Sequence, residues 1–305
     1  MSTQRRFCRG LVLVETLFKR LNQQPLLGAF SLVLVFSGLA LGHTLVVLQH
    51  GFTGGLNLLD TLISAFLGSL GFVLVWIGMK RPETQATLLG YLGGNLIWIG
   101  IFEWTWKYFA HWMAIEPVLD DGMMILSPEL LLIQATGLIV VAMLIFFGAN
   151  KDTRCRMFMW FHRNFRLRPD KMTPGYKRQH ARTTAIETVF LIWTIYLFAI
   201  VINDPRLIRY DSIAAMLITV GFVVWGVYLA NKLFKIKGFG PAFRYAIPTG
   251  NILWLPIEGF SRWGLYPEVW VKPIQYAGIM IAVLLVFLIG VSGFYRSEQR
   301  ETAAA

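Results

Sequence analysis

Two segments of this chain carry an amide, an indole and a carboxylate in the same order: Asn95, Trp98 and Glu103 in one, Asn251, Trp254 and Glu258 in the other. Amide and carboxylate are eight residues apart in the first and seven in the second. Both spacings keep the two groups on roughly one face of a helix, with the indole close by. Carboxylate and amide oxygens bind cations or exchange protons, and a Trp face attracts a cation through its ring quadrupole. The pattern therefore predicts a paired site for a cation, a proton or a cationic solute. The same residues also have a structural use: Asn ties one helix to another, Gly94 and Gly250 permit close packing, and Trp anchors a bundle at the membrane boundary. That use explains Asn and Trp better than it explains two glutamates.

A second grouping suits a metal. Glu103, His111, Glu116, Asp120, Asp121 and Glu129 follow one another closely, and His43 and His50 fall toward the same face. Imidazole with carboxylate fits zinc, copper, iron or manganese. His43, Glu103, His111, Asp120 and Asp121 are the candidate ligands, and a transition-metal ion is the cofactor they imply. Neither HExxH nor the Glu-x-x-His pair of di-iron bundles is present, so a solvated acidic loop is the simpler expectation. The two cysteines, Cys8 and Cys155, form no zinc or iron–sulfur motif and fall in segments expected in a reducing compartment. A Walker A loop, a GxSxG elbow and a CxxCH haem site are also missing, which removes those enzyme classes.

The elements that must position these residues follow from composition. The chain is 305 residues long, 56% hydrophobic and 15% charged, which leaves more apolar surface than one soluble core covers, so lipid must cover the rest. Eight charge-poor stretches approach the roughly 20 residues that cross a bilayer: 26–48, 61–79, 86–104, 125–148, 184–202, 212–230, 239–257 and 273–294. Runs this long and this apolar are helices rather than barrel strands. The seventh contains Arg244, Pro248 and Pro256 and is expected to be kinked or re-entrant. The fold class is an all-α polytopic membrane protein of about eight transmembrane helices.

Its two halves repeat. Gly71-Phe72-Val73-Leu74-Val75-Trp76 follows Asp60 as Gly221-Phe222-Val223-Val224-Trp225 follows Asp211, and Gln134 and Gly137 open the fourth stretch as Gln275 and Gly278 open the eighth. With Asn95 and Asn251 these make three matches in one order, the mark of two four-helix repeats. An even number of helices per copy makes the repeats parallel. The residues expected to line a cleft between them are Asn95, Glu103, Asn251, Glu258, Asp60, Asp211, Gln134, Gln275, Trp98 and Trp254.

Basic residues gather in the N-terminal segment, at Lys80 and Arg81, throughout 151–182, and at Lys232, Lys235 and Lys237. By the positive-inside rule those segments are cytoplasmic, as are both termini of what reads as a bacterial-type inner-membrane protein. This explains the net charge of +11 without nucleic acid. The organisation is then 1–25 as a cytoplasmic interfacial helix, 26–149 and 184–295 as the repeats, 150–183 as a basic connector and 296–305 as a cytoplasmic tail. The interfacial helix and the connector, with Phe158, Trp160, Phe161, Arg163, Phe165 and Arg166 interleaved, suit anionic lipid headgroups.

Arg262-Trp263-Gly264 with Pro267 and Pro273, and Glu103-Trp104, resemble aromatic stretches in the membrane subunits of copper-dependent methane and ammonia monooxygenases. The likeness is short, the Asp-x3-His-x12-His copper pattern of that family is missing, and no site carries over. Three functions remain: a transporter binding a small cationic or metal solute in a periplasm-facing cleft, a metal-dependent (copper or iron) membrane oxidoreductase, and a scaffold or assembly subunit holding a partner of a membrane complex or a second copy.

Overall fold

In the computed structural model, the residues described are 21, 23–120, 122–149, 152, 159, 162, 166 and 171–304. The expected interfacial helix and most of the basic connector lie outside them. Each of the eight apolar stretches contains a helix, or in one case a bent pair. These are α1 (Leu26–Thr53), α2 (Leu58–Gly78), α3 (Glu83–Trp112), α4 (Pro128–Ala135) followed by α5 (Gly137–Ala149), α6 (His180–Asn203), α7 (Ile213–Leu233), α8 (Phe239–Arg262) and α9 (Ala277–Ala304).

Six of them, α1, α2, α3, α6, α7 and α9, are long and apolar enough to cross a membrane, and α4 with α5 makes a seventh if the pair is one span. The chain is thus a helical multi-pass membrane protein.

The fourth stretch differs from the single helix expected. Its first residues belong to a short antiparallel hairpin, β1 (Val118–Asp120) and β2 (Met123–Leu126). Pro128, free of any need for an intrahelical N–H bond, starts α4. α4 and α5 then meet at 42°. At the break the Thr136 hydroxyl donates to the Ile133 carbonyl (2.6 Å) and accepts from the Trp193 indole N–H (2.7 Å), which fixes the corner against α6.

α8 stays helical through Pro248 and Pro256. It is less apolar than its neighbours because protein, not lipid, surrounds much of it: it packs on α1, α3, α6 and α7. Arg244 is tolerated there because it bridges to α3, pairing with Glu83 and donating to the Thr87 hydroxyl at 2.8 Å.

Helix pairing is reciprocal across the two halves. α3 lies on α6 and α8 lies on α1, while α2 packs on α3 and α7 on α8. Both crossings use a glycine. A Cβ on Gly94 would sit 2.9 Å from the Ala185 carbonyl and 2.9 Å from the Thr188 Cβ, and one on Gly250 would sit 2.5 Å from a Val35 methyl. At the centre Tyr91 is 1% exposed, meets Phe243 edge-on and donates its hydroxyl to the Val35 carbonyl at 3.2 Å.

Candidate functional site

The site is built at the C-terminal halves of α1, α6 and α8. His43 is held by α1: its Nδ1 lies 3.0 Å from the Leu39 carbonyl and its Nε2 lies 3.4 Å from Glu258 Oε1 of α8. The Leu39 carbonyl only accepts, so Nδ1 carries an N–H toward it, and a second N–H on Nε2 would make the ring an imidazolium facing the Glu258 carboxylate. Glu258 Oε1 also accepts the indole N–H of Trp254, one turn back on α8, at 2.7 Å. The Trp254 ring packs on His43 and on Trp270 of the α8–α9 loop, with centroids 5.7 Å and 4.7 Å away.

These groups line a cavity of about 180 Å³ together with Tyr196 and Asn203 of α6, Arg262 of α8 and Glu268 of the loop. That is room for several waters or one small solute. A smaller cavity of about 20 Å³, enough for roughly one water, shares Asn203, Glu258 and Arg262 with it. Glu258 therefore stands in the wall between two spaces. The Glu268 carboxyl is pushed above the ordinary carboxylate range, first by burial and then by the charge of Glu258, while Arg262 and His43 pull it down.

The structure treats the residues singled out from the sequence unequally. Asn251 is 2% exposed and lines the cavity, but its amide nitrogen donates to the Ile247 carbonyl one turn back (2.9 Å). Asn95 makes the same bond to Tyr91 (2.8 Å). Trp98 is buried among Phe102, Trp106 and Tyr196. Glu103 pairs with Lys107 of its own helix at 3.1 Å and lies within electrostatic reach of both His43 and Tyr196.

Asp60 and Asp211 have different surroundings. Asp60 is 5% exposed and accepts from the Gln49 amide at 2.9 Å, which joins α1 to α2. Asp211 is exposed and pairs with Arg209 at 2.8 Å. Gln134 donates to Asp204 (3.3 Å), and Gln275 is exposed.

Of the metal candidates, His111 is exposed, Asp120 lies 3.4 Å from Arg209, and Asp121 is outside the described residues. Among the described residues no group of three or more His, Cys, Asp or Glu is arranged to hold a metal ion. His162, a histidine of the basic connector, is 4% exposed.

Tyr196, Asn203, Arg262 and Glu268 were not among the site residues expected from the sequence. A signal for one existed: Lys107 follows Glu103 by four residues as Arg262 follows Glu258. Four residues is one helical turn, so each carboxylate has a cation beside it.

Asp204 follows α6 directly, next to Asn203 of the cavity. It is 1% exposed and accepts two hydrogen bonds from the Arg206 guanidinium (2.9 and 2.7 Å). The Arg206 hydrogen bonds, with help from Gln134, hold its carboxyl below the ordinary range. A carboxylate with a lowered folded-state pKa adds stability above its unfolded value and loses it as pH falls through the folded value. Asp204→Asn is accordingly expected to lower the melting temperature at neutral pH, with the difference from wild type closing below the ordinary carboxylate range. Differential scanning fluorimetry from neutral pH to strongly acidic buffer checks this.

Comparison of the chain with protein-family models, with curated proteins and with solved structures finds no match.

Proposed function

We propose that the chain is an inner-membrane transporter that binds a small cation of the alkylammonium class in the cavity between α1, α6 and α8. The observation that carries this reading is one cavity lined by Glu258 and Glu268 together with Trp254 and Trp270. Carboxylates attract a cation, and indole faces favour one with a methylated or alkylated surface. A bare metal ion would need a closer group of ligands than the described residues offer. The oxidoreductase reading would need His43, Glu103, His111 and Asp120 around one ion, whereas His43 meets Glu258 and Asp120 meets Arg209.

The proposed architecture is two parallel four-helix repeats, α1–α5 and α6–α9, with α8 as an eighth span and both termini cytoplasmic. Its support is the reciprocal packing of α1 on α8 and α3 on α6, each at a glycine, and the matched side-chain bonds of Asn95 and Asn251. The register agrees: His43 lies eight residues after Val35, the neighbour of Gly250, and Tyr196 lies eight after Thr188, the neighbour of Gly94. The unequal spacing of Asn and Glu also has an explanation, since α3 is π-helical from Trp98 to Glu103. A π segment in an α-helix accommodates an added residue, so Glu103 and Glu258 hold equivalent places. With the basic segments inside, the C-terminal ends of α1, α6 and α8 face the periplasm.

The test is uptake of labelled methylammonium and tetramethylammonium by vesicles reconstituted with purified protein. Removing a charge-assisted contact to the solute should lower uptake by Glu258→Gln about tenfold or more. Equal uptake by wild type and by the Glu103→Gln/Glu258→Gln double variant would remove the reading.

A further inference from the structure

We propose that His43 is a proton-exchange group: a cation arriving at Glu258 displaces the imidazolium, which gives its proton to water and stays behind as neutral imidazole. This inference rests on the cation-site reading and adds what drives or opposes binding.

His43 and Glu258 belong to α1 and α8, and their 3.4 Å contact crosses the cavity wall. The imidazolium and a bound cation would compete for the same carboxylate, because Glu258 faces His43 Nε2 and both residues line the cavity.

Charge balance then favours loss of a proton. The charged and titratable groups facing His43 are Glu258 and Arg262 of α8, Glu268 of the α8–α9 loop, Glu103 of α3 and Tyr196 of α6. Glu103 already has Lys107 as its partner. With His43 protonated, the imidazolium and Arg262 offset Glu258 and Glu268. An added cation would leave one positive charge uncompensated in a space walled by Leu39, Ile192, Ile195 and Ile200, where unpaired charge is costly. Loss of one proton from His43 restores the balance. The N–H bond of Nε2 breaks, its electron pair stays on nitrogen, and the proton leaves to water. Nδ1 keeps its hydrogen bond to Leu39 throughout.

Such exchange links binding to pH. A site that releases one proton per cation gains about tenfold in apparent affinity per pH unit while the group is protonated in the empty site. Full-length protein in detergent would be titrated with methylammonium and tetramethylammonium chloride in weakly buffered solution from about pH 5.5 to 8.5, following bound cation and released proton separately. One proton per cation is expected from wild type. His43→Gln should lose both the release and the slope, and His50→Gln, at an exposed histidine of the same helix that does not line the cavity, should keep them. Cation binding by wild type with no proton release overturns the exchange and leaves the cation site standing. Release that survives in His43→Gln, or vanishes in His50→Gln, overturns the assignment to His43. No binding of either probe ends both this inference and the reading beneath it.

Discussion

Gly100→Val is expected to cost about 3 kcal/mol or more of stability, and Gly221→Ala to be neutral or slightly stabilising. The two glycines differ in what surrounds them. Gly100 lies in the π-helical part of α3, where a Cβ would come within 2.4 Å of both the Gly68 amide nitrogen and the Ser64 carbonyl oxygen of α2. Those are backbone atoms and have no rotamer into which to retreat. α2 and α3 would have to separate, loosening the packing of Ile101 against Gly68 and disturbing Ser64, which accepts from Gln49 of α1 at 2.7 Å. The strain also reaches the turn that carries Glu103. Gly221 of α7 has no heavy atom within 4 Å of a built Cβ, so alanine there only stiffens the helix. Melting temperatures in detergent, with monodispersity by size-exclusion chromatography, separate the cases. A Gly100 variant as stable as wild type would mean that α2 and α3 do not meet as described.

Hydrophobic length located the helices, because apolar runs near bilayer thickness are hard to disguise: the stretch expected at 184–202 is the helix His180–Asn203, and the one expected at 61–79 is Leu58–Gly78. The corner at Thr136 was less legible, since it depends on Trp193 donating from another helix. The π segment left a trace in the eight-against-seven spacing, yet spacing alone does not distinguish a widened turn from a shifted residue. Asp60 and Asp211 show the limit of matching by motif. Both precede similar glycine-aromatic runs, but only Asp60 meets a glutamine of a neighbouring helix, and no local pattern announces which one will.

The site itself was half legible. Glu258 and Trp254 stood out by repetition on one face, and their hydrogen bond is local to α8. His43 entered the reading as a metal candidate, since a histidine in an apolar helix does not name its partner. That partner, 215 residues away, is set by how α1 crosses α8 at Gly250. Glu268 sits in a loop, where no periodicity predicts the direction of a side chain.

Replacing either member of the His43–Glu258 pair by leucine is expected to destabilise the protein, and the order of the two costs is expected to reverse with pH. At pH 7 His43→Leu strands a carboxylate whose remaining neutral donor is Trp254. Losing the partner of a fully buried charge costs about 3–5 kcal/mol when nothing compensates, and the Glu258 side chain is 22% exposed. Arg262 lines the same cavity and offsets part of this, so about 2–3 kcal/mol is expected. Glu258→Leu leaves His43, which can shed its proton: an ordinary histidine titrates near 6.5, so neutrality at pH 7 costs it little. Its bond to Leu39 survives in the neutral ring. Near pH 5 the balance turns, because protonating a carboxylate of ordinary pKa about 4.3 has become cheap while keeping imidazole neutral has become expensive. Unfolding in detergent at both pH values, for the single variants and the His43→Leu/Glu258→Leu double variant, measures the crossing. The double variant leaves no stranded charge of this pair and should vary least with pH. Equal costs for both single variants at each pH would show that the two side chains do not share a charge, and the proton-for-cation exchange would lose its physical basis.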